Sequence, residues 1–476
     1  MQFTREVNRL LAGLLVCFAI IALTAAYWAI TGKDTILLRE DNPRRVEAEA
    51  SILRGNIVDR NYEPLVVSRR ANGTVIREYL YPETNGALGY YSLRYGVSGV
   101  EEAFNTMLRG DNLERDLTTT LIDGALHRPQ EGSDVRLTLD LEIQRAVANA
   151  MQGQNGAAVV LGVPGGEVLA LVSLPTYDPN TLDADWETLK VDPNNPFFNR
   201  AVQGSYQPGS TLQTPLLAAA LLVGVPLDEE IENATVPVEL NDLELNCAVR
   251  LPRMALTLRE AYGFACPAPF ARLIDQLGLP TVQAVFDTFR LESPQPLYSP
   301  TTPPPTEATP LPTPSQALPD DIVSNALGQG SLNVSPLNMA MMAAAIVNDG
   351  NAPQPYLLLE TLAPDAPEWT PIEAVRPTIP ITTLGTARRL QDLMRSAVAS
   401  GAAQNAGRPN IDIGGHAALA YSGEGSQAWF IGFATLGGRQ GVAVAVVLEN
   451  SDDPGLAADI GGTALMAAQT ALTASE

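Results

Sequence analysis

Apolar residues fall along this chain in three kinds of run. The first is continuous: the 23 residues from 10 to 32 carry no charge and are mostly Leu, Ala, Ile and Val. At about 1.5 Å of rise per residue, a helix of that length reaches across a bilayer. The second kind is short and rich in Val. Residues 157–163 and 168–174 flank Pro164-Gly165-Gly166, the pattern of a hairpin of two buried antiparallel strands. Residues 428–433 and 441–448 read as two more strands of the same kind. The third kind is helical. One helix starts near Ser210 with an almost wholly apolar body over 214–222, a second covers 259–277, a third 336–348, and a fourth closes the chain over 455–474. A helix apolar on every side belongs inside a large core, and Met339, Met341 and Met342 read as packing there rather than as ligands. Strands at both ends of this region with helices between them predict an α+β domain, a central antiparallel sheet covered by helices.

These runs divide the 476 residues into a short tail (1–9), a transmembrane anchor (10–32), a smaller mixed domain (33–152) and a larger one (153–476). Arg5 and Arg9 ahead of the anchor place the N-terminus in the cytoplasm. The length of the apolar run and the interfacial pair Tyr27-Trp28 favour a retained single-pass anchor over a cleaved signal peptide. The bulk of the chain is then extracytoplasmic at the plasma membrane. Residues 33–152 mix β-like runs (63–67, 74–81) with Gly-rich turns. Residues 294–319 hold ten prolines in 26 positions and read as an inserted, solvated surface loop.

Charge and cysteines change this picture little. A formal net charge of −23 excludes nucleic acid as a partner, because phosphates require a basic surface. Of the three cysteines, Cys17 lies in the anchor. Cys247 and Cys266 are exported, where a disulfide persists, and spacing alone leaves a Cys247–Cys266 bridge and a reduced, buried Cys266 both open. No cofactor or metal set is called for.

The candidate chemistry centres on Tyr206-Gln-Pro-Gly-Ser210-Thr-Leu-Gln213. A Pro-Gly turn followed by Ser-Thr and an apolar run delivers a serine onto the first turn of a helix. In penicillin-interacting enzymes the nucleophile is presented this way in the pattern S-x-x-K, with the lysine amine on the same helix face as the hydroxyl. Here the fourth position is Gln213, and an amide does not take up the serine proton at neutral pH.

The resemblance extends along the chain. Arg54-Gly-Asn-Ile-Val-Asp59-Arg60 resembles the opening of the juxtamembrane domain of class B penicillin-binding proteins, Gly96-x-x-Gly99-x-Glu101 resembles their G-x-x-G-x-E segment, and Asp134 to Asp140 followed by Gln144 resembles the strand and helix that lead into their transpeptidase domain. Asn199-Arg200-Ala201 just before the serine loop, Gly328-Gln-Gly330 with Ser335-Pro336, and Ala428-Trp-Phe-Ile-Gly-Phe433 resemble further landmarks of the same family. The resemblance implies a non-catalytic pedestal over 33–152 and a serine D,D-transpeptidase fold over 153–476. In that family serine attacks a D-Ala-D-Ala carbonyl, a lysine takes its proton, and backbone N–H groups hold the oxyanion. A second motif, S-x-N, lies opposite, and a third, K-T-G on an edge strand, binds the peptide carboxylate.

Both of those motifs are replaced. The second is expected at Ala265-Cys266-Pro267, where methyl and pyrrolidine groups stand for hydroxyl and carboxamide. The third is expected at His416-Ala417-Ala418, without a fixed cation or a threonine hydroxyl. Ser210 is therefore expected to serve as a helix N-cap rather than as a working nucleophile. His416 is expected to face solvent, with an improvised base as its alternative role; His127, the second histidine, falls in the pedestal. The sequence reads as a catalytically impaired homologue that acts as a scaffold in peptidoglycan synthesis, with a membrane glycosyltransferase as partner. The alternative is an active D,D-transpeptidase acylated at Ser210 by stem peptide or β-lactam.

Overall fold

The computed structural model describes residues 2–35, 49–71, 74–113, 129–240, 243–291, 297, 322–372, 378–422, 425–437 and 440–474. The proline-rich stretch and His127 lie outside the described residues, Leu297 excepted. These residues form two compact units. One holds the N-terminal helix with residues 49–53, 68–71, 74–76 and 129–131; the other holds residues 54–67, 77–113 and those from 132 onward. In the first, helix α1 (Gln2–Thr35) contains the one stretch among the described residues long and apolar enough to cross a membrane, Val7–Ala25. Its apolar side chains, Leu10 and Phe18 among them, are exposed, and Cys17 is a free thiol on the same surface.

In the larger unit, α2 (Leu141–Ala150) is capped by Asp140, whose carboxylate accepts from the backbone N–H groups of Glu142 and Ile143. It leads into β1 (Gly156–Val163) and β2 (Val168–Leu174). Helices α3 (Gln213–Val223), α4 (Leu258–Gly263), α5 (Pro267–Leu277), α6 (Pro336–Val347) and α7 (Leu384–Ser400) follow. Strands β3 (Asp412–Ser422), β4 (Gly425–Gly437) and β5 (Gln440–Glu449) complete an antiparallel sheet ordered β3-β4-β5-β1-β2, and α8 (Pro454–Ala474) closes the chain.

The Val- and Ala-rich strands are buried on both faces, and their period of two sorts side chains into two cores. Ala157, Val159, Leu161, Trp429, Ile431 and Phe433 join one core, on the face covered by α6. Ala158, Val160, Phe430, Val444 and Val446 join the other, under α8 and α2. Met339, Met341 and Met342 are buried core residues of α6.

Two helical expectations are corrected. The stretch 259–277 is two helices, because Ala265 adopts a left-handed φ of 51° and Pro267, at the first position of α5, has no N–H with which to continue α4. The helix expected from Ser210 begins as a 3₁₀ turn, Gly209–Leu212, and becomes α-helical only at Gln213.

A separate buried cluster fixes the region before α2. Glu101, fully buried, pairs with Arg54 at 2.8 Å and with Arg77 at 2.7 Å, and the Tyr79 hydroxyl donates to it at 3.2 Å. Burial alone raises this carboxyl's pKa, but the two guanidiniums outweigh burial and hold it below the ordinary value.

Candidate active site

Strand β3 is the edge of the five-stranded sheet, and the Ser210 turn lies against it. Gly209 makes that approach feasible. Its φ is 52°, and a Cβ there would stand 2.2 Å from the Leu419 carbonyl oxygen and 2.6 Å from the Ala420 Cβ. Its N–H donates to the Gly328 carbonyl at 2.9 Å. Gly328, at φ 72°, presses its own Cα side onto the Gly209 backbone. The loop is stitched from three sides. Trp429 Nε1 donates to the Gln207 carbonyl at 3.1 Å. Gln207 Nε2 donates to the Gly330 carbonyl at 2.9 Å. The Tyr206 hydroxyl donates at 2.7 Å to Glu449, whose same oxygen accepts from Arg200 Nε at 2.9 Å. Gln329 Oε1 accepts from the Tyr421 N–H at 3.3 Å, tying the glycine segment to β3.

Ser210 is not an N-cap. It sits second in the 3₁₀ turn behind Pro208, its side chain caps nothing, and it is half-buried. Among the described residues its hydroxyl has no hydrogen-bond partner; only its carbonyl is engaged. Gln213, buried at the start of α3, donates through Nε2 to the Cys266 carbonyl at 3.3 Å, while its Oε1 is buried without a partner. That contact brings Ala265-Cys266-Pro267 beside Gln213. Cys266 is disulfide-bonded to Cys247.

His416 is fully buried, not solvent-facing. Its ring is stacked on Tyr262 of α4, with centroids 4.2 Å apart and planes within 5°. The Tyr262 hydroxyl is within 3.0 Å of Thr214 Oγ1, and burial pushes the phenol's pKa well up. Burial likewise brings the His416 imidazole down to about 4, against a smaller opposite effect of the Ser210 carbonyl. The ring is therefore neutral at pH 7 and carries one proton. Its Nε2 faces the Ser210 carbonyl oxygen at 3.1 Å, and a carbonyl only accepts, so the proton is on Nε2. The bare Nδ1 is buried with no partner. His416 thus reaches the backbone of Ser210, not its hydroxyl.

The sequence matches the family described as penicillin binding protein transpeptidase domain over residues 156–467. The chain belongs to that family. It is 30% identical over 497 residues to the peptidoglycan D,D-transpeptidase PbpA of Mycolicibacterium smegmatis, covering 97% of this chain and 98% of that one. It is 30% identical over 428 residues to PbpA of Mycobacterium tuberculosis, covering 83% and 84%. The structure of penicillin-binding protein A from M. tuberculosis as an imipenem acyl-enzyme superposes with a TM-score of 0.74 at 30% identity, covering 88% of this chain and 99% of that one. The D,D-transpeptidase domain of a peptidoglycan glycosyltransferase from Eggerthella lenta gives 0.72 at 25% identity, covering 88% and 98%.

Within this penicillin-binding protein the serine turn, the 265–267 segment and the edge strand converge. One hydrogen bond joins Gln213 to Cys266 and another joins His416 to Ser210. Ala418 and Ala420 share the His416 side of the strand, in the same core as Trp429, whereas Ala417 packs on the opposite face with Phe430. Sequence reasoning missed Tyr262 and Thr214, for which no spacing signal exists. It also missed the bracing by Gln207 and Gln329, although the latter stands inside the Gly328-Gln-Gly330 segment.

Proposed function

We propose that this protein is a membrane-anchored peptidoglycan transpeptidase homologue that does not perform acyl transfer and serves as a scaffold in cell-wall synthesis. The observation that carries the proposal is the set of groups around Ser210. The nearest helix-face side chain, Gln213, is an amide tied to the Cys266 carbonyl. The one imidazole at hand is neutral, and its single proton is committed to the Ser210 carbonyl. Neither group takes the serine proton, and a serine without a base is a poor nucleophile at neutral pH.

On this reading Gln213, Ala265, Pro267, His416, Ala417 and Ala418 hold the positions where the family's three motifs stood. Loss of the cation and hydroxyls also removes the charge-assisted partners of a peptide carboxylate. Residues 33–152 act as the pedestal, 10–32 hold the protein in the plasma membrane with 153–476 outside, and the partner is a membrane glycosyltransferase. A second reading, slow acylation at Ser210, is favoured by one observation, the unengaged serine hydroxyl. The test is D-alanine release from a pentapeptide ending in D-Ala-D-Ala by the purified full chain. The scaffold reading expects no release above the uncatalysed rate; release lost in Ser210→Ala overturns it.

A further inference from the structure

Between α3 and α4 the chain makes an excursion whose base is closed by backbone pairing. The Ile231 N–H donates to the Leu256 carbonyl at 2.9 Å, and the Ala234 N–H to the Met254 carbonyl at 3.1 Å. The distal part is a hairpin, Val238–Leu240 paired with Leu243–Leu245. Strands this short make a hairpin marginal by itself. Its register also sets Glu239 directly opposite Glu244, a like-charge pair that opposes the pairing. The hairpin therefore depends on what it leans against.

Its attachments lie at its C-terminal end. Leu245, 4% exposed, enters the main core. Cys247 is bonded to Cys266, and the Ala248 N–H donates to the Phe264 carbonyl at 3.0 Å. Cys266 is also the residue whose carbonyl holds Gln213, three positions after Ser210. On the other side stands Tyr421, near the end of β3, its N–H held by Gln329. Burial raises the Tyr421 phenol's pKa, and the Asn246 backbone N–H and the Glu244 carboxylate act on it in opposite senses, which sets the end of the hairpin beside the end of β3. Residues 244–247 thus join the 264–266 turn to β3, the two elements that flank the Ser210 turn. The two sulfurs differ in access. Cys266 is fully buried, whereas Cys247 is half-buried and follows the exposed Asn246.

We propose that the Cys247–Cys266 bridge is a redox latch that fixes this hairpin, opened by an exported dithiol reductant. A thiolate of the reductant attacks the Cys247 sulfur, the S–S bond breaks, and Cys266 leaves as a thiolate and takes up a proton. The reductant's second thiolate then attacks its own sulfur in the mixed disulfide and displaces Cys247, which is protonated in turn. The cysteine pair gains two electrons and two protons, and the dithiol is oxidised to a disulfide. With the bridge open, the pairing at the base of the excursion stays. The hairpin, held against itself by little, parts from the 264–266 turn and from Tyr421. The latch works whether or not Ser210 can be acylated, so it stands apart from the scaffold reading.

The test treats the folded full chain in lipid nanodiscs with dithiothreitol. Iodoacetamide labelling of Cys247 and Cys266, read peptide by peptide, reports the bridge, and hydrogen–deuterium exchange reports the backbone. The bridge should open without melting the fold, and exchange over 238–248 and 419–422 should accelerate about tenfold. Strands β1 and β5 and the base at 231–235 and 252–256 should keep their protection. Cys247→Ser combined with Cys266→Ala should exchange like the reduced parent and ignore the reductant; the parent measurement stands without this variant if it does not fold. A bridge that resists dithiothreitol until the fold melts overturns the proposal. So does an open bridge with exchange over 238–248 unchanged, and so does protection lost across all strands, which would make the bridge a staple of the whole domain.

Discussion

Tyr262 lies flat on His416, with ring planes within 5° and centroids 4.2 Å apart. The stack fills the space beneath the serine turn with two uncharged rings. A residue expected to stand for a fixed cation is instead a core aromatic whose one proton goes to the backbone of the residue it would have to activate.

That arrangement has a pH signature. The unfolded histidine titrates near 6.5 and the folded one near 4, so between those values the unfolded chain holds the extra proton. Acid therefore costs stability as pH falls from 6.5 toward 4, by about 3 kcal/mol in all at 1.36 kcal/mol per unit. His416→Phe keeps the stack and removes the titration. Thermal or urea unfolding should place it within about 1 kcal/mol of the parent at pH 7 and about 2–3 kcal/mol better relative to the parent at pH 4.5. Parallel stability curves would show that the imidazole does not titrate as described.

Restoring one group should not restore chemistry. In Gln213→Lys an ammonium would be buried with the Cys266 carbonyl as its acceptor and no carboxylate, while Ala265, Pro267 and His416 remain. Catalytic groups act as a unit, so β-lactam labelling should stay at background. Burying the charge should lower the melting temperature. Efficient labelling of this single variant would mean that the remaining site is intact.

The Cys247–Cys266 bridge closes 19 residues of sequence separation, a loop whose cross-link stabilises by about 3 kcal/mol on the chain-entropy account. Cys247→Ala with Cys266→Ala should lose roughly that amount in urea unfolding, and dithiothreitol should produce the same shift in the parent and none in the double variant.

Glu101 neutralises two buried guanidiniums. Glu101→Gln leaves them uncompensated and should cost about 3–5 kcal/mol, the usual effect of breaking a buried ionic cluster. The folded carboxyl titrates below its ordinary value, so its contribution is complete above the unfolded pKa. That contribution is lost as pH falls through the folded one. Unfolding curves of the variant should accordingly lack this acid-dependent loss.

Most of the fold was legible because strand and core-helix periodicities are local. The Val-rich runs at 157–163 and 441–448 are buried on both faces whichever strand they pair with, and a helix such as 336–347 admits no exposed side. The errors lie where tertiary contact decides. Serine before an apolar run commonly caps a helix, which is what the local pattern at Ser210 suggests. The turn in which Gly209 approaches Leu419 instead places Ser210 inside a 3₁₀ segment, where its side chain caps nothing. No carboxylate near His416 in the sequence marks it as a buried or oriented base, yet Tyr262, 154 residues earlier in the chain, covers it. The break at Ala265 depends on a left-handed φ that alanine does not announce, and the disulfide on a geometry that two cysteines cannot declare.

The central claim, that Ser210 has no activator, is tested most directly by incubating the full chain with a fluorescent penicillin alongside Ser210→Ala. The account predicts no covalent label on either protein across pH 6–8, with both shown to be folded by circular dichroism. Label on the parent that disappears in Ser210→Ala would contradict it.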